Sequence, residues 1–166
     1  MTGPPPAGPP GPDDDLERLR GRSGLSLDAE GRFLHRGEPV THPRTLEALW
    51  RSLSRTPDGR YQVAIGRERA YVEVEDAPYA VRAVTPSPAG GAPLLHLSDG
   101  TAEPLDPAGL TCGADGVLRC RVKGGHRARF TRAGQLALGA ALSEDPPGSG
   151  RFVLYVNGER RSVGRE

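Results

Sequence analysis

Aromatic side chains are scarce in this chain: one tryptophan, three phenylalanines and four tyrosines among 166 residues. Few of them interleave with the basic residues, which argues against a platform for stacking single-stranded nucleic acid. Charge is also balanced, at +1 with both signs interspersed, so bulk nucleic-acid binding is not indicated. No run approaches the roughly 18 consecutive apolar residues of a membrane span. Cysteine is limited to Cys112 and Cys120, whose spacing is not that of a zinc-type CxxC pair. Residues 1–12 lack the apolar stretch of a secretory signal, so a cytoplasmic chain with reduced thiols is expected. Cys120 alternates with Leu118 and Val122, the pattern of a core residue and not of a nucleophile.

Catalytic signatures are missing as well. There is no phosphate-binding glycine loop, since Lys123-Gly124-Gly125-His126 lacks the Walker spacing. There is no nucleophile elbow and no HExxH. His35, His42, His96 and His126 have no ligand spacing, although His35 and His126 occupy comparable places in the two halves. No cofactor and no catalytic residue is therefore expected.

Glycine and proline are abundant, at 23 and 17 residues, and they punctuate turns. Residues 1–22 read as a proline-rich disordered tail with polyproline II character, with a short helix starting near Leu16–Arg20. Leu25–Asp28 and Phe33–Val40 alternate around Ala29-Glu30-Gly31, a hairpin-like pair. Thr41 is the expected N-cap of a helix with Pro43 in its first turn. Leu46, Leu49, Trp50 and Leu53 form its apolar face, and it is expected to end near Arg55. Trp50 reads as a core anchor, with ligand stacking as the alternative. Asp99-Gly100 and Asn157-Gly158 are hairpin turns.

The densest acidic cluster sits in the most strand-like stretch, residues 70–84. Val72 and Val74 alternate with Tyr71, Glu73 and Glu75; Asp76-Ala77-Pro78 interrupts the run; Tyr79–Val84 reads as a second strand. A hairpin pairing Val74 with Val81 would set Glu73 opposite Arg82. Glu73 and Glu75 would leave one strand face with Cα atoms roughly 6.5–7 Å apart. That spacing fits a solvated, ion-paired face, or a carboxylate pair for acid/base or metal chemistry. Asp76 could also be a structural cap of the turn. Glu73, Glu75, Asp76, Tyr79, Arg82 and Arg69 are the candidates for ligand or partner binding. Arg119, Arg121 and Lys123 share one strand face and are the candidates for an anionic partner.

The second half echoes the first. Ala29-Glu30-Gly31 recurs as Ala114-Asp115-Gly116, and Gly59-Arg60-Tyr61 as Gly150-Arg151-Phe152. The expected fold is α+β: two similar strand–strand–helix–strand–strand units packed together, with mostly antiparallel sheets. The first unit spans 23–85, a linker with a hairpin 86–109, and the second unit 110–166. Gly134 and Gly139 weaken the second helix by roughly 1 kcal/mol each, so packing through Leu136 and Ala140 is expected to hold it. The groove between the units is the expected pocket.

The run Leu27–Val40, the helix to Leu53, Asp58-Gly59-Arg60-Tyr61 and above all Val72-Glu-Val-Glu-Asp-Ala-Pro78-Tyr79 resemble the bacterial DUF1285 family over roughly residues 25–164. The resemblance implies a cytoplasmic bacterial α+β protein with repeated motifs and a part in signal transduction, of unknown function and with no catalytic residues to carry over. Two functions stand open: a non-enzymatic module for a small ligand or protein partner, or a metal-assisted or acid/base enzyme using Glu73, Glu75 and Asp76.

Overall fold

The computed structural model describes Gly3 and residues 23–166. The tail and the helix expected near Leu16–Arg20 fall outside the described residues, Gly3 apart. The first strands are β1 (Leu25–Leu27), β2 (Phe33–His35) and β3 (Glu38–Pro39), followed by helix α1 (Pro43–Ser52). β4 (Ser54–Arg55), β5 (Tyr61–Ile65), β6 (Glu68–Val74) and β7 (Tyr79–Thr85) come next. β8 (Leu94–Leu97) and β9 (Ala102–Pro104) precede a single 3-10 turn, Pro107–Gly109. Then follow β10 (Thr111–Cys112), β11 (Leu118–Val122), β12 (His126–Phe130) and helix α2 (Arg132–Gly139). β13 (Leu142–Glu144), β14 (Phe152–Val156), β15 (Glu159–Ser162) and β16 (Gly164–Arg165) end the chain. The class is α+β with antiparallel-rich sheets.

Among the described residues, two large sheets and one small one result. Their orders are β3-β2-β1-β6-β5-β4, β16-β10-β11-β12-β7-β8-β9 and β13-β14-β15. Among the described residues, parallel contacts are confined to β1 with β6, β10 with β16, and β12 with β7.

The hairpin expected between Val74 and Val81 does not form. β6 pairs with β5 and β1, whereas β7 pairs with β12 and β8. Glu73 lies opposite Ser26, and Arg82 instead donates to the Gly31 carbonyl at 3.1 Å. The reason is burial. Tyr79, Ala80 and Val81 are buried in succession, which requires cover on both faces, as for an inner strand. The chain therefore crosses from one sheet to the other at 75–78.

α1 begins one residue later than expected. His42, held extended (φ −68°, ψ 120°) by the proline that follows it, is the N-cap, and its Nδ1 accepts from the Thr45 N–H at 3.4 Å. The helix stops at Ser52, because Leu53 is extended and leads into β4. In α2, Thr131 caps the N-terminus by accepting from the Gly134 N–H at 3.1 Å. Gly134 and Leu138, not Leu136 and Ala140, face inward. Residues four apart share a helix face, and Leu136, two positions from either, is 69% exposed.

Each large sheet has its own core. One collects Leu27, Phe33, Leu49, Val63 and Val72; the other Val81, Leu95, Val122, Phe130 and Leu138. Trp50 and Leu53 pack against both. Cys120 lies in the second core, where burial pushes its thiol up to about 12, so it is a protonated apolar side chain.

Candidate functional site

The crossing segment positions the acidic cluster. Val74 pairs with Leu27, and the Glu75 N–H then donates to the Leu27 carbonyl at 3.0 Å. The Glu75 carboxylate turns back and accepts from the Ala29 N–H at 2.9 Å. Asp76 points the other way. It accepts two hydrogen bonds from Arg119 of β11 and lies 3.6 Å from Arg129 of β12. The Arg119 hydrogen bonds, helped by the charges of Arg129 and Arg127, hold the Asp76 carboxyl below its ordinary value. Glu73 stays exposed at a cleft that also carries Arg60 and Tyr71. The three carboxylates thus serve three different places. Among the described residues, no three His, Cys, Asp or Glu side chains are grouped to hold a metal ion.

Arg69 is exposed on β6, and Arg82 is exposed but bonded to the Ala29–Gly31 turn through two carbonyls. Arg119 is buried and shared by Asp76, Asp115 and Glu166. Lys123 pairs with Asp99 at 2.7 Å. Burial pushes the Asp99 carboxyl up, but hydrogen bonds from Lys123 and Thr101 outweigh it and hold it low. Arg121 is exposed, with no carboxylate partner among the described residues.

Tyr79 is the member of the sequence-derived set that the fold places at the seam between the sheets. Its ring stacks on Trp50 at 5.7 Å and 24°, and Trp50 meets Phe33 edge-on at 4.6 Å. His126 contacts both Tyr79 and Tyr61, each at 5.8 Å between centroids, and the Tyr61 hydroxyl lies 3.0 Å from His126 Nδ1. Burial raises both tyrosines and lowers His126. His35 does not approach His126; it lies opposite Leu25 and Glu38.

This aromatic string joins residues from both halves of the chain. Sequence reading missed Tyr61 and His126 as a pair, because they are 65 positions apart. The one available signal was that Trp50 is the sole tryptophan. A groove of about 630 Å³ opens over it, walled by Leu46, Trp50, Leu53 and Tyr79 and edged by Asp99 and Lys123.

No helix among the described residues is long and apolar enough to cross a membrane. No family model matches the chain, and no curated protein matches it either. Two solved structures do resemble it. A DUF1285 family protein from Silicibacter pomeroyi DSS-3 is 17% identical, with a TM-score of 0.65 over 87% of this chain and 81% of that one. A DUF1285 family protein from Shewanella baltica OS155 is 18% identical, with a TM-score of 0.54 over 68% of this chain and 87% of that one. The chain has a DUF1285-like fold, the one to which the motifs between residues 25 and 164 pointed.

Proposed function

We propose that this chain is a non-enzymatic module that binds a small ligand or a protein partner at the seam between its two large sheets. The observation that carries this reading is the open groove over Trp50 and Tyr79. It has apolar walls and a charged edge, the usual make-up of a binding cleft. The carboxylate partners favour binding over acid/base chemistry at residues 73–76. Both Asp76 oxygens are engaged by Arg119, and Glu75 by a backbone N–H. Glu73, Arg69 and Arg82 remain accessible for contact with a partner.

The reading includes two repeated units that pack through their apolar faces. Its support is a common pairing scheme. Ser26 and Leu27 pair in parallel with Glu73 and Val74, as Thr111 and Cys112 do with Gly164 and Arg165. A helix lies between the paired strands in each half. A cytoplasmic place and a role in bacterial signal transduction belong to the same proposal and rest on the family resemblance.

The test uses Trp50 as its reporter. Nucleotides, cyclic dinucleotides, small carboxylates and divalent ions are titrated while tryptophan emission and thermal midpoint are followed. A ligand at 100 times its Kd adds about 2.7 kcal/mol, and the expected hit also shifts emission. Leu46→Glu and Lys123→Ala are expected to weaken it. Stabilisation that leaves Trp50 emission unchanged would move the site elsewhere, and a panel silent on both readouts would remove the small-ligand form.

A further inference from the structure

The register of β11 and β12 sets Arg119 directly opposite Arg129 and Arg121 directly opposite Arg127. Like charges facing each other across a strand pair are destabilising. One pair is relieved from within, since Asp76 reaches both Arg119 and Arg129, and Asp115 and Glu166 also converge on Arg119. The other pair is not. Arg127 has Glu166 alone, which it shares with Arg119, and Arg121 has no carboxylate partner among the described residues.

A further cation faces Arg127 from the other sheet. Arg55 of β4 and Arg127 of β12 line one cleft of about 490 Å³, whose walls include Tyr61, Val74 and Pro78. Arg55 also has no carboxylate partner among the described residues, and its charge is felt by both the Tyr61 hydroxyl and His126. Asp76 lines the cleft too, but its carboxylate is held by Arg119 and Arg129. Of the charged residues that line the cleft, Arg55 and Arg127 stand against Asp76, an excess of positive charge beside apolar walls. Planar guanidinium groups suit oxyanions, which they bind with paired, charge-assisted hydrogen bonds.

We propose that this cleft binds a small oxyanion, a carboxylate or phosphate group, between the guanidinium groups of Arg55 and Arg127. Bridged in this way, the ligand also ties the two large sheets together. The site shares no lining residue with the groove over Trp50 and stands whether or not that groove is occupied.

The test is calorimetric titration and thermal unfolding with inorganic phosphate and with succinate, at ionic strength held constant with sodium chloride. At least one anion is expected to bind saturably and raise the midpoint; a response to only one of them names the group. Arg55→Ala and Arg127→Ala are each expected to weaken binding at least tenfold, while Arg44→Ala on α1 leaves it unchanged. Arg55 holds no ion pair among the described residues, so its variant keeps the test valid if Arg127→Ala is poorly folded. Midpoints no higher than in sodium chloride alone, or unchanged binding by Arg55→Ala, would overturn the proposal.

Discussion

Arg119 grips Asp76 with two hydrogen bonds, Nε to Oδ1 at 2.9 Å and Nη2 to Oδ2 at 2.7 Å, just where the chain passes from one large sheet to the other. The Arg119 side chain is 9% exposed and that of Asp76 18%. Removing one partner leaves a buried charge uncompensated, which costs about 3–5 kcal/mol in a fully buried pair. Partial exposure, with Asp115 and Glu166 still in place, reduces the expected loss for Asp76→Ala to about 2–3 kcal/mol. Glu73→Ala, on the exposed face, is expected to stay within about 0.5 kcal/mol of the parent. Urea denaturation of the two variants checks this, and equal midpoints would remove the structural role of Asp76.

The same clasp sets an acid limit. Arg119 holds Asp76 below the ordinary aspartate value of 3.8, and with a backbone hydrogen bond from Val117 it lowers Asp115 to about 2. Both folded values lie below the unfolded ones, so the unfolded chain binds more protons as pH falls. The contribution is fully present well above pH 3.8 and is lost as pH drops through the folded values towards about 2. Urea midpoints measured from pH 6 to pH 2.5 are expected to fall steeply below about pH 4. Asp76→Ala should flatten that fall, and an unchanged slope would show that other carboxylates govern it.

The two glycines of α2 are expected to respond in opposite directions. A Cβ on Gly134 would lie 2.3 Å from the Val81 carbonyl oxygen, in a backbone contact that has no room to move. A Cβ on Gly139 would meet nothing within 4 Å. Gly139→Ala is therefore expected to gain up to about 1 kcal/mol from helix propensity. Gly134→Ala is expected to lose about 1–3 kcal/mol through overpacking despite the same gain. Thermal or urea midpoints decide it, and stabilisation by both would mean that α2 does not pack on β7 in this way.

Local features were legible in the chain because their causes are local. Asp99-Gly100 turns between β8 and β9, and Asn157-Gly158 between β14 and β15, where both central residues have positive φ (51° and 78°). The apolar face of α1 and the burial of Cys120 also follow from spacing alone. The candidate site was legible only in part. Tyr79 was singled out and Trp50 was read as a core anchor, which its packing against both cores bears out, whereas the pairing of Tyr61 with His126 and the place of Arg55 carried no signal. Gly134 looked like a weakness of the second helix, whereas the missing side chain is what lets α2 approach β7.

By itself the sequence determined the turns, the apolar face of α1 and the alternation that makes most strands one-sided, since these depend on dihedral preferences and periodicity over a few residues. Tertiary structure decided which strands pair and which charges meet. β6 and β7 are separated by four residues, yet they join different sheets, because Tyr79, Ala80 and Val81 needed cover on both faces. Arg119 and Asp76 are 43 positions apart, and neither neighbourhood specifies the other. Burying the apolar faces of both large sheets brings them together, and only then does an acidic turn become the clasp between them.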